Sequence, residues 1–91
     1  MLKIVSSNQF KKDLKRAKKR GFNFDLLIEV VNMLADHQGL PERYRDHNLV
    51  GDYSGFRECH IQPDWILIYR IDSDQLELFL FRTGTHSDLF S

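Results

Sequence analysis

The sequence predicts an α+β fold in which two N-terminal helices pack on one face of a mostly antiparallel sheet, in the order strand, helix, helix, strands. Two observations carry this. Apolar residues recur at helical spacing twice before Gly39, at Phe10, Leu14 and Ala17 and again at Leu26, Leu27, Val30, Val31 and Leu34. The second half switches to short β-branched and aromatic runs with brief connections, which implies antiparallel pairing. With 91 residues the chain forms one domain, residues 1–91.

Residues 2–5 (Leu-Lys-Ile-Val) are β-rich and predict the first strand. Ser6 or Ser7 can cap the next helix by accepting a backbone N–H, and Gly21 stops that helix. Asn23 caps a second helix, whose wider stripe marks it as core, and Gly39-Leu40-Pro41 ends it. His37 falls in its last turn, an ordinary place for a solvated histidine, and is left out of the site. Residues 42–55 carry turn residues and two glycines, and read as a loop running into a short strand. Strands follow at 56–61, 65–71 and 75–82, with Gln62-Pro63-Asp64 and Asp72-Ser73-Asp74 as turns. Pro63 cannot donate to a sheet ladder, so the chain must turn there. Ile66-Leu67-Ile68-Tyr69 is the most apolar run and predicts a fully buried strand.

The net charge is zero, but its distribution is polarised: residues 1–45 hold ten Lys/Arg against five Asp/Glu, and residues 46–91 hold three against eight. Most of the excess lies on the first helix, in Lys11, Lys12, Lys15, Arg16, Lys18, Lys19 and Arg20. Last-turn cations suit the helix dipole, but the dipole accounts for two or three of them and not for seven. This face is therefore expected to meet a polyanion. The single Cys59 has no partner for a disulfide and reads as a small buried hydrophobe. No apolar run is long enough to span a membrane, and a soluble cytoplasmic protein is expected.

Chemistry gathers at the ends of the strands. His47 lies in the loop before the sheet, and His60 and Asp64 flank the central turn. Arg82 closes the last strand, and Thr83-Gly84-Thr85-His86 follows. Such a set suits phosphodiester cleavage. One group takes a proton from a 2′-hydroxyl, another gives one to the leaving 5′-oxygen, and a fixed cation stabilises the charge between them. Histidine suits both transfers because its unperturbed pKa is about 6.5. Trp65 and Phe90 supply aromatic surface on which bases can stack. Three histidines and an aspartate also match a zinc site, but no closely spaced pair such as His-x-x-x-His is present, and no metal is expected. Arg82 could instead pair with Asp64, and Trp65 could be ordinary core.

Asp46-His47-Asn48-Leu49, then Gly51, then 55–69 with its Pro63-Asp64-Trp65 centre, then Arg82-Thr83-Gly84-Thr85-His86-Ser87-Asp88-Leu89-Phe90 resembles the YafQ toxins. These are a branch of the RelE/ParE superfamily of bacterial toxin–antitoxin modules. The resemblance spans the whole chain and is most specific from His47 to Phe90. It implies a RelE-like fold and a ribosome-dependent endoribonuclease that cuts mRNA in the A site without metal or cofactor. By the same resemblance His47, His60, Asp64, Arg82 and His86 form the catalytic set, with Trp65 and Phe90 packed around the nucleotides. His86 would be the general acid, Asp64 or His47 the base with His60 orienting or sharing that work, and Arg82 the phosphate ligand. The basic helix would bind ribosomal RNA, and a cognate antitoxin would silence the activity. The superfamily also contains gyrase poisons, and a catalytically silent antitoxin-binding module is a further alternative.

Overall fold

The computed structural model describes residues 1–90. Its elements are β1 (Lys3–Ser6), α1 (Asn8–Lys19), α2 (Phe24–Ala35), β2 (His47–Asn48), β3 (Arg57–Gln62), β4 (Trp65–Asp72), β5 (Glu77–Gly84) and α3 (His86–Phe90). Two single 3₁₀ turns, Glu42–Tyr44 and Gly51–Tyr53, flank β2. The five strands form one sheet in the order β1-β5-β4-β3-β2. Only β1 and β5 run parallel, because the two helices intervene and carry the chain across. The other neighbours are antiparallel, as the short connections require.

The helix boundaries follow from local chemistry. Ser7 is the N-cap of α1, and its hydroxyl accepts the Phe10 N–H at 2.9 Å. At the other end Gly21 takes φ +79°. The Phe22 N–H reaches the Ala17 carbonyl and the Gly21 N–H reaches that of Lys18, a Schellman closure. Phe22 then packs on Trp65, with ring centroids 4.9 Å apart. Asn23 caps α2 through the Asp25 N–H. Helix α2 stops at Ala35, before Gly39. His37, with φ +60°, takes the left-handed position of the closing motif, so it lies past the last turn and not in it.

The apolar face of the two helices meets one side of the sheet. Phe10, Leu27, Val30, Val31 and Leu34 pack with Cys59, Trp65, Leu67, Tyr69, Leu78 and Leu80. The opposite side is covered as well. Ile66 and Ile68 pack against Leu89 of α3 and against Leu49, Tyr53, Phe56 and Phe81. β4 is therefore buried on both faces along residues 65–69, which explains its continuous apolar sequence. The second layer, made by residues 49–56 and by α3, departs from the predicted two-layer arrangement. Helix α3 went unforeseen because five residues hold too little periodicity to be recognised.

α1 is fastened to β5 by a buried carboxylate on its apolar side. β1 ends at Ser6, so the last residues of β5 have no strand neighbour on that edge. Ser7 Oγ donates to the Phe81 carbonyl at 2.7 Å, and Asp13 accepts the Thr83 N–H at 3.1 Å. Asp13 is 2% exposed and also receives Arg82 Nε at 2.8 Å, Arg16 Nη2 at 3.3 Å and Gln9 Nε2 at 3.2 Å. Removing one member of a buried charge pair costs about 3–5 kcal/mol. Asp13→Ala is expected to lose about that much unfolding free energy in urea, whereas a loss below about 1 kcal/mol would mean that the helix is held by apolar packing alone.

Candidate functional site

The site lies on the side of the sheet away from α1 and α2. Glu58 and His60 stand two residues apart on β3, opposite Ile68 and Ile66 of β4, and so share the face of that second apolar cluster. His47 on β2 is the cross-strand partner of Glu58. Its flanks are held by Arg57, which forks onto Asp46 at 3.1 and 3.2 Å and onto Asn48 at 2.6 Å. Asp46 also accepts from the Tyr69 hydroxyl, whose pKa burial pushes well above the phenolic range. Asp46 and Asn48 thus face Arg57 while His47 between them faces Glu58.

Glu58 is buried with two histidines beside it. His47 Nε2 lies 2.9 Å from Glu58 Oε2 and His60 Nε2 lies 3.5 Å from the same oxygen. The other nitrogen of His47 is 2.7 Å from the Arg45 carbonyl, so making both bonds together requires an N–H at each ring position. His60 Nδ1 faces the Pro63 carbonyl at 3.2 Å. With that contact made by an N–H, the neutral His60 ring keeps a lone pair on Nε2.

His86 opens α3. Its backbone N–H donates to Asp64 Oδ1 at 3.0 Å and its ring Nδ1 does so at 3.2 Å. These bonds, led by the backbone one, hold the Asp64 carboxyl below the usual carboxylate range, although its side chain is open to solvent. A carboxylate so lowered is a poor base near neutrality and a good anchor for an imidazole. With Nδ1–H directed at Asp64, His86 presents Nε2 outward. The His86 ring centroid is 5.6 Å from that of His60 and 5.9 Å from that of Phe90, whose ring is exposed at the rim. One donor atom each from Glu58, His60 and His86 can be chosen so that all lie within 4.8 Å of one another. Two imidazoles and one carboxylate also suit a borderline divalent metal such as zinc or copper.

Among the residues predicted for the site, His47, His60, Asp64, His86 and Phe90 form one chain of contacts around Glu58. Two others do not join it. Trp65 is 1% exposed, with its indole N–H on Thr83 Oγ1 at 2.9 Å and its ring against Phe22, so it is core and presents no face to a nucleotide. It stands on the helix-covered face of β4 with Leu67 and Tyr69, which explains this. Arg82 does not close β5, which runs on to Gly84, and it pairs with Asp13 instead of Asp64. That carboxylate raises its pKa and occupies Nε and Nη2, leaving Nη1 without a bond among the described residues. Along the basic helix, Arg16 and Arg20 are likewise engaged, on Asp13 and Asp88 respectively. Lys11, Lys12, Lys15, Lys18 and Lys19 are exposed. Cys59 is buried, and burial raises its thiol pKa far out of the reactive range. Glu58 escaped notice in the sequence, although the two-residue alternation of a strand places it on the face of His60.

Residues 2–91 match the family model described as the bacterial YafQ toxin of type II toxin–antitoxin systems. The mRNA interferase toxin YafQ of Escherichia coli strain K12 is 44% identical over 88 residues, covering 96% of this chain and 94% of that protein. The crystal structure of a metal-bound toxin from Helicobacter pylori superposes with a TM-score of 0.93 at 49% identity, covering 99% of this chain and 100% of that one. The toxin chain of the E. coli DinJ–YafQ complex superposes with a TM-score of 0.90 at 39% identity, with both chains fully covered.

The Asp64–His86 contact can be tested by titration. The Asp64 carboxyl, followed by NMR, is expected to titrate below the exposed-carboxylate range. In His86→Ala it should move part of the way back, since the backbone N–H remains. The folded pKa is the depressed one, so stability from this link is full above the unfolded carboxylate pKa of about 3.9 and fades as the pH falls through the lowered value. An Asp64 titration unchanged by His86→Ala would show that the ring does not touch it.

Proposed function

The chain belongs to the YafQ family of toxins from type II toxin–antitoxin systems, and on that premise we propose that it is an endoribonuclease that cuts mRNA in the ribosomal A site and so stops translation. The observation that carries the reading is the pair of imidazoles, His60 and His86, with ring centroids 5.6 Å apart and the Nδ1 atom of each engaged, which leaves the Nε2 atoms for proton transfer. A scissile phosphate among them meets an acceptor on one side and a donor on the other. His60 Nε2 takes the proton of the 2′-hydroxyl, whose oxygen attacks phosphorus. The bond to the 5′-oxygen breaks, and His86 Nε2–H protonates that oxygen. The products are a 2′,3′-cyclic phosphate and a 5′-hydroxyl.

The geometry supports a particular division of labour. Asp64 is assigned to orient His86 and stabilise its imidazolium form, since its lowered pKa makes it a poor base. His47 has both ring nitrogens committed, so its part is to hold Glu58 in place beside His60. Arg82 offers only Nη1 to a phosphate, a single contact and not a fork. Phe90 supplies the aromatic face for a base. Glu58, His60 and His86 could also hold a metal ion, but a metal would take the lone pairs this reaction needs. Cleavage is accordingly assigned to the protein side chains, with no cofactor. The cognate antitoxin expected for the chain is suggested by the E. coli DinJ–YafQ complex. Among the described residues no helix is long and apolar enough to cross a membrane.

The deciding experiment translates a defined message with and without the protein and maps new 5′ ends. Codon-periodic cuts are expected, whereas an intact message with blocked DNA supercoiling would mark a gyrase poison. His86→Gln should lower single-turnover cleavage on programmed ribosomes by about 10²–10⁴. Its stability cost should stay within about 0.5 kcal/mol, because the ring is mostly exposed. A rate within about threefold of the parent would remove His86 from the role of acid. Replacing Lys11, Lys12, Lys15, Lys18 and Lys19 with Gln should weaken ribosome binding. The slope of its salt dependence should flatten by about 0.7–0.9 for each phosphate no longer neutralised. Unchanged affinity and slope would make this face merely solvated.

A further inference from the structure

We infer that Arg20 and Asp88 are positioning residues for His86, an ion pair that fixes the first turn of α3 and thereby aims the imidazole. The inference rests on His86 acting in the reaction proposed above, and goes beyond it by assigning a residue of the basic helix to the site and not to RNA.

A helix of five residues has too few hydrogen bonds to persist by its own propensity, so α3 must be held from outside. Its far end is anchored by Leu89, buried against Ile66 and Ile68, and by Tyr53, whose hydroxyl donates to the Leu89 carbonyl at 3.4 Å and whose ring meets Phe90 edge-on. Its first turn is held by Asp64, which accepts from His86, and by a set of contacts that converge on Asp88. Its carboxylate accepts the Thr85 N–H at 3.0 Å while its own N–H donates to Thr85 Oγ1 at 3.2 Å, the reciprocal pairing of a capping box around His86. Asp88 Oδ2 also receives Arg20 Nη1 at 2.7 Å and Oδ1 receives Nη2 at 3.2 Å, a two-pronged contact across 68 residues of sequence. Arg16 Nη2 stands 3.7 Å from the same carboxylate. The group presses on Gly84, where an added Cβ would lie 2.9 Å from Asp88 Oδ2, so only glycine admits it.

Asp88 is thus the junction through which the end of α1 fixes the turn that bears His86. The ring itself has one polar tether, Asp64, which is an exposed turn residue. Loosening Asp88 leaves the imidazole on a short helix held at its far end by Leu89 and Tyr53 and at its start by Asp64. The pair with Arg20 holds the Asp88 carboxyl down to about 2, so the clamp keeps its charge across the working pH range. One side of the pair is open to solvent, and its worth in global stability is small. Its worth in placement is larger, because a displacement of about 1 Å at a reacting group can cost about 10² in rate.

The test is a double-mutant cycle of Arg20→Gln and Asp88→Asn, with Arg20→Lys as the conservative variant. Asparagine keeps an acceptor for the Thr85 N–H, so the capping box survives and the ion pair is removed. Two readouts are taken: single-turnover cleavage on programmed ribosomes, with ribosome affinity measured separately, and the ¹⁵N signals of the His86 ring in the free protein. The expected result is a loss of about 10–100-fold in kcat for either single variant. Affinity should be unchanged, the double variant no worse than the singles, and Arg20→Lys partly restored. The Nδ1–H signature of the Asp64 bond should weaken in the Gln and Asn variants. Losses that appear in affinity and add in the double variant would make Arg20 an RNA contact and overturn the inference. So would an unaltered ring signal, and that readout stands even if the parent cuts no RNA, in which case the proposed function fails and the clamp is still tested.

Discussion

The carboxylate of Asp13 is the interaction on which the rest of the molecule depends. It stands on the apolar stripe of α1 and takes four donors from two elements: the backbone of Thr83, the guanidinium of Arg82, and two side chains of its own helix. A carboxylate excluded from water requires such a set, because each unpaired lone pair would carry a desolvation cost. The consequence is positional. β5 loses its strand neighbour after Leu80, and α1 takes over as the edge. From Thr83 the order passes inward, since its hydroxyl accepts from Trp65 and donates to the Ile66 carbonyl. It also passes onward to Gly84 and α3. The acid assigned to His86 thus hangs from a strand end that a helix completes.

The elements legible in the sequence were those with a period. Both helices and the three long strands stand within a few residues of where their apolar patterns place them, and Ser7, Gly21 and Asn23 mark helix ends as their chemistry requires. What escaped had no period to show. Helix α3 spans little more than one turn, and its signal was a cap, Thr85-x-x-Asp88, and not a stripe. Gly39 was the obvious stop for α2, yet His37 closes it, because the left-handed position tolerates histidine when the chain is otherwise satisfied.

The candidate site was legible as residue types and only partly as roles. Its histidines sit near strand ends, and the structure gathers them as that placement suggests. Which aromatic faces outward is a question of layers, and Trp65 went to the core because it stands on the face of β4 that the helices cover, against Phe22. The partner of an arginine is equally invisible in sequence. Arg82 and Asp64 are neighbours in the site motif, but the carboxylate that claims Arg82 is Asp13, 69 positions earlier. Glu58 was readable in principle, since a strand that points His60 into the site points residue 58 the same way. It was overlooked because a glutamate between an arginine and a cysteine looks like ordinary surface.

The charge asymmetry of the chain resolves into two kinds of cation. Arg16 and Arg82 meet Asp13, Arg20 meets Asp88, Arg57 meets Asp46, and Arg70 lies over the rings of Phe56 and Phe79. These guanidiniums are used as forks and plates, the roles their planar geometry suits. Arg20, joined by Arg16 at 3.7 Å, reaches from the basic N-terminal half to Asp88 in the acidic half. Part of the polarity seen along the sequence is therefore cancelled in space by the fold. The lysines of α1 are exposed and make no ion pair among the described residues. An ammonium on a flexible stem is a point charge that follows a phosphate backbone without reading it. A surface of that kind supplies adhesion to a polyanion and little discrimination. Under the proposed function, any preference for particular nucleotides is therefore assigned to the other face, where the Phe90 ring stands beside that of His86.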